Sequence, residues 1–176
     1  MGRIVEPAAA KLICGIITAR PELLGDLAER LAVRFGPVDA ASGIWPFDFT
    51  DYYAREMGSP LVRQFLAFER LVDQGRLAEA KLFTNGLEGI FSAESGGRCA
   101  NLDPGYVTAQ KLVLATTKDA PHRIYIAGGI YAEITLRVSK GAFEPCPWTY
   151  PDYRTERYRG FFDEVRRRLV EQTRQG

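Results

Sequence analysis

Residues 11–18, KLICGIIT, form an apolar run that reads as a buried strand. Pro21 and Glu22 then open a segment in which Leu24, Leu27, Ala28, Leu31 and Phe35 recur at helical spacing. Gly36-Pro37 ends that helix, since glycine suits the residue after a helix and proline cannot continue one. Residues 38–57 are aromatic and turn-rich, which predicts two short strands around a proline corner. Residues 61–71 fit either period, but Val62, Phe65 and Phe68 favour a strand. Helical spacing returns at Leu77, Ala80, Thr84, Leu87 and Phe91, despite a costly Gly86. Residues 98–103 read as extended and stop at the turn pair Pro104-Gly105, and a short helix is expected over 108–116. Residues 122–138 form the clearest hairpin, and 155–174 the clearest helix, with Tyr158, Phe161, Phe162, Val165 and Leu169 on one face.

The hairpin pattern is sharp enough to set a register. Ile130, Ala132, Ile134, Leu136 and Val138 alternate with Tyr131, Glu133, Thr135 and Arg137. A three-residue loop over 127–129 pairs Ile126 with Ile130 and Arg123 with Glu133, giving one dry face and one polar face. That polar face is either a solvated sheet surface or the wall of a pocket.

The element order predicts an α+β domain spanning 1–176, with a mixed, mostly antiparallel sheet and helices packed mainly on one face. Its strand–helix–strand–strand opening fits a ferredoxin-like arrangement. Composition adds limits. Hydrophobic residues at 46% supply enough apolar surface for a core, and 23 Lys plus Arg against 22 Asp plus Glu leave no whole-molecule field toward nucleic acid. Cys14, Cys99 and Cys146 are far apart, and one histidine cannot complete a multi-His zinc site, so no metal is expected. Reduced cysteines and an N-terminal apolar stretch too short to span a bilayer point to a cytoplasmic protein that does not enter membranes.

Candidate chemistry concentrates in the second half. Asp103 stands beside a turn, where it is either a functional carboxylate or a turn-maker. Lys118, Asp119, His122 and Arg123 crowd the loop before the hairpin. There His122 fits a proton shuttle oriented by Asp119, and Lys118 and Arg123 fit an anion. Asp103, Asp119, His122 and Glu133 are the catalytic candidates; Lys118, Arg123, Tyr131, Tyr150 and Arg154 are the ligand-binding ones. Lys81, Asn85 and Glu88 share a helix face that reads most simply as solvated. The loop 148–154, WTYPDYR, fits a lid over a pocket or an aromatic plug in the core.

The strings FDFTDYYAREMG (47–58), KLFTNGLEG (81–89), ANLDPGYVTAQKLVLATTKDAPHRIYIAGGIYAEITL (100–136) and WTYPDYR (148–154) together resemble the bacterial domain of unknown function 4416 family. The resemblance spans nearly the whole chain and implies no particular chemistry or cofactor. A GTP-binding label carried by some members finds no support, because G-x-x-x-x-G-K-[ST] is absent and Thr117-Lys118-Asp119 lacks the spacing of a guanine-reading motif. The leading expectation is a site, binding or catalytic, for a small anionic or phosphorylated ligand, nucleotides included. The alternative is an interaction module that binds a protein or single-stranded nucleic acid through the aromatic segments. Self-association through a sheet edge or the last helix is compatible with both.

Overall fold

A computed structural model describes residues 2–92 and 97–175. In chain order the elements are β1 (Ala10–Thr18), α1 (Leu24–Phe35), β2 (Val38–Ala41), β3 (Trp45–Pro46), α2 (Ala54–Met57), β4 (Val62–Val72), α3 (Leu77–Ile90), β5 (Ala100–Val107), β6 (Lys111–Thr116), β7 (Ile124–Ala127), β8 (Ile130–Ser139), β9 (Ala142–Pro145) and α4 (Glu156–Gln175). The strands form one antiparallel sheet in the order β2-β4-β1-β5-β6-β8-β7, with β3 added to β4 and β9 to β8. Strands β2-β4-β1-β5, with α1 and α3 as crossovers, have the connectivity of a split βαβ unit. The fold is α+β, as the element order predicts.

β1 is the central strand and is buried along its whole length. Its Leu12, Cys14 and Ile16 pack with Leu24, Leu27, Leu31 and Phe35 of α1 and with Ala80 and Leu87 of α3. Ile13, on the opposite side, joins Phe65, Leu112, Leu114 and Leu136 under Tyr158, Phe162, Val165 and Leu169 of α4. Two of the three long helices therefore share one face, and α4 covers the other. This explains the continuous apolar run at 11–18, because a strand covered on both sides has no polar face to present.

The same physics misleads at residues 108–116, where the sequence suggests a helix and the chain forms β6. Leu112 and Leu114 face α4, while Val113 and Ala115 face α3, so burial on both sides erases the period of two. Nor does the preceding strand stop at Pro104-Gly105. β5 continues through both residues, paired with β1 from Ala100 to Val107.

The hairpin keeps its expected register at Ile124 opposite Ala132 and Tyr125 opposite Tyr131. The loop differs. Ala127 pairs with Ile130 across a two-residue Gly128-Gly129 turn, both glycines at positive φ, and Ile126 is bulged out. A second irregularity breaks the alternation of β8, since Val113 pairs with Ile134 but Leu112 with Leu136. Consequently Thr135 is fully buried and Ile134 is exposed, the reverse of the simple pattern.

A candidate site in the cleft between β5 and β6

Strand pairing itself opens the cleft. β5 is held by β1 over its whole length but meets β6 only at Gly105, Tyr106 and Val107. Beyond Leu114, β6 continues along β8 while β5 stays with β1. The two strands part and leave a cavity of about 690 Å³ between residues 101–103 and 114–118. Parting strands leave backbone groups without ladder partners, which is costly when they are buried. α3 supplies the partners. Lys81 Nζ donates to the Leu102 carbonyl at 2.7 Å, and the Leu102 N–H donates to Glu88 Oε1 at 2.6 Å. Seven residues apart on a helix, Lys81 and Glu88 share a face, and both are buried rather than solvated as their polarity suggests. Burial pushes the Glu88 carboxyl upward, against the opposing pull of Lys81 and the Leu102 N–H.

The floor of the cleft is a charged network. Arg63 on β4, almost fully buried, donates from Nη1 to Asp103 Oδ2 at 3.3 Å and from Nη2 to Asp152 Oδ2 at 3.2 Å. Its guanidinium lies over the rings of Phe65 and Tyr153, a contact that weakly hydrated guanidinium tolerates in a dry site. Asn101 Nδ2 donates to Asp103 Oδ2 at 2.7 Å, and Lys81 Nζ stands 3.5 Å from Asp103 Oδ1. Burial raises the Asp103 carboxyl, but Lys81, Arg63 and the Asn101 hydrogen bond outweigh it and hold the group below the usual carboxylate range. Asp152 responds differently: burial dominates over Arg63 and moves it upward. Arg98 closes one end, donating to both Glu56 oxygens, to Glu88 and to Asn101.

The opposite wall comes from β8 and two loops. Glu133, 2% exposed, accepts from Arg123 Nε at 2.7 Å, and His122 Nε2 lies 3.3 Å from the same oxygen. The His122 ring stacks on Trp148, with centroids 5.5 Å apart. Arg123 also donates to the Lys118 carbonyl and, at 2.6 Å, to the Tyr150 hydroxyl. Burial, with Glu133 nearby, pushes the Tyr150 phenol up to about 12, so it stays neutral as an acceptor. At the rim, Lys118 Nζ donates to the Tyr52 hydroxyl and lies 4.4 Å from the centre of that ring. Among the described residues Lys118 contacts no carboxylate, whereas Arg63, Lys81 and Arg98 all do.

Four of the nine residues picked out in the sequence line this cleft: Asp103, Lys118, Glu133 and Tyr150. Arg123 and His122 stand behind the wall and brace Glu133. The other three lie elsewhere. Asp119 is exposed and makes no hydrogen bond to His122, whose acidic neighbour is Glu133 instead. Tyr131 packs edge-on against Tyr125, away from the cleft. Arg154 donates to the carbonyls of Cys146, Pro147 and Thr149 and so holds the 146–149 loop in shape. Arg63 and Asp152, both central to the network, are not among those nine. The available signal for Arg63 was a lone guanidinium inside the apolar run LVRQFLAF, since a charge there needs a buried partner. Among the described residues, no group of three or more His, Cys, Asp or Glu is arranged to hold a metal ion.

An antiparallel α+β sheet split by a charged and aromatic cleft is the class of protein that fold and site define. The chain belongs to the family described as domain of unknown function (DUF4416), whose model matches residues 8–169. No curated protein and no solved structure matches it. No helix among the described residues is long and apolar enough to cross a membrane.

Proposed function

We propose that the cleft between β5 and β6 binds a small molecule carrying an anionic group, with phosphorylated compounds and nucleotides as the first candidates. Lys118 carries the reading: among the described residues it is a rim cation without a carboxylate contact, and Thr116 and Thr117 line the cleft beside it. Phe47, Phe49, Tyr52 and Tyr53 supply an apolar wall suited to a ring. The aromatic segments favour this over flat surface docking. Phe47 and Tyr153 are buried, Trp45 stacks on Tyr158, and Phe49, Tyr52 and Tyr150 turn toward the concavity. Three buried, unpaired cysteines are in keeping with a cytoplasmic setting.

Thermal shift against nucleoside mono- and triphosphates and hexose phosphates tests this proposal. A true ligand at about 100 times its Kd adds about 2.7 kcal/mol of stability. Lys118→Ala is expected to remove most of the shift, and unphosphorylated nucleosides to give little. A panel without any stabiliser, or a Lys118→Ala variant that responds like wild type, overturns the proposal.

A catalytic version of the same site is favoured by two carboxyls that share one guanidinium and that burial and charge push in opposite directions. Beside Arg63, Asp103 is pushed toward the ionised form and Asp152 toward the protonated form. Such a split is what a base and an acid working together require. Where a ligand is turned over, Asp103→Asn is expected to lower kcat by about 100-fold or more while leaving binding largely intact.

A further inference from the structure

Sheet edges invite pairing with other chains, and this molecule covers its edges with side chains one after another. On β2, the Asp39 carbonyl accepts from Arg168 Nη1 at 2.9 Å. On β9, the Phe143 N–H donates to Asp163 Oδ1 and its carbonyl accepts from Arg159. Where β8 runs bare between β7 and β9, Trp148 Nε1 donates to the Ile134 carbonyl at 2.8 Å and the Thr149 hydroxyl donates to the Thr135 carbonyl. The Gln172 amide does the same for the Glu69 carbonyl of β4. β7 differs from these: among the described residues, the backbone of 124–127 bonds to β8 on one side and meets no capping side chain on the other.

β7 also lacks the charges that usually guard an edge. Its sequence is Ile-Tyr-Ile-Ala, all four residues are exposed, and Ile124 and Tyr125 are 72% and 58% accessible. The adjoining cation, Arg123, is turned inward onto Glu133. Past the other end, Gly128-Gly129 presents no side chain, and Leu82, half exposed on α3, lies against that turn.

We infer that β7 pairs with β7 of a second copy of this chain, antiparallel about a two-fold axis, joining two sheets into one. Charge selects the occupant. An uncharged strand has nothing to answer an acidic or basic segment, whereas self-pairing lays isoleucine and tyrosine against isoleucine and tyrosine with no like charges opposed. The partner's strand would also supply the backbone bonds that β2, β8 and β9 receive from side chains.

Light scattering on the eluting protein, together with hydrogen exchange, tests this. Wild type is expected to move from the mass of one chain to twice that mass as concentration rises toward millimolar. Amide exchange within 124–127 is expected to slow over the same range. The Ile124→Lys, Ile126→Lys double variant is expected to stay at one chain mass with unchanged circular dichroism. Tyr125→Lys serves as a second variant should the first lose its fold. Wild type at one chain mass throughout, exchange in β7 independent of concentration, or lysine variants that dimerise like wild type would each overturn the inference.

Discussion

Arg63 is 3% exposed and has two carboxylates, Asp103 and Asp152, as its charge partners. Removing one partner from such a group leaves a poorly compensated charge, which is where buried ion pairs make their largest difference. Asp103→Asn is expected to lower stability at neutral pH by about 2 kcal/mol, between values for exposed and fully buried pairs. The pH dependence has a definite sign. Lys81, Arg63 and the Asn101 hydrogen bond together outweigh burial and keep Asp103 below its unfolded value, so its contribution is present above that value and is lost as pH falls through the folded one. Tm curves of wild type and Asp103→Asn should therefore lie apart at pH 7 and converge under acid. Parallel curves across that window would remove Asp103 from the account. Glu133 was legible at this scale because the alternation of β8 placed it across from Arg123, and the two form an ion pair. Arg63 was not legible, because its partners lie 40 and 89 residues away in sequence.

At the scale of elements, α3 acts as the missing neighbour of β5. Glu88→Leu leaves the Leu102 N–H without its acceptor and is expected to cost about 1–3 kcal/mol. Exchange of the Leu102 amide should accelerate in that variant, while amides of α4 stay protected. A Cβ at Gly105, where β5 and β6 still touch, would meet the Val113 carbonyl and come 2.7 Å from Leu114 Cδ2. Gly105→Ala is thus expected to destabilise by about 1–3 kcal/mol, because backbone cannot step aside as a flexible side chain can. Denaturant midpoints settle both values. α1, α3 and α4 were legible from apolar spacing, and β1 from its unbroken run. β6 was not, since a strand buried on both faces shows neither period. The β8 bulge escaped for another reason: alternation reports facing only while register holds, and Trp148 and Thr149 bond to the very carbonyls, Ile134 and Thr135, where it slips.

Over the whole molecule, the cleft arises from topology rather than from any one motif. A split βαβ half ends in β5, a hairpin-bearing half begins at β6, and the two are zipped together at only three residue pairs. That arrangement draws β4, α3, β5, the 116–118 loop, β8 and the 150–153 loop around one hollow. Four of its lining residues are legible from local polarity, but the parting of β5 and β6 depends on long-range pairing and leaves no local trace. The most direct measurement is an amide NMR titration of the 15N-labelled protein with the phosphorylated compounds named above. Saturable shifts are expected, confined to the amides of Tyr52, Asn101, Asp103, Thr116, Thr117, Lys118 and Tyr150. Saturable shifts that cluster away from the cleft, or no saturable shifts with any of these compounds, would contradict the proposed site.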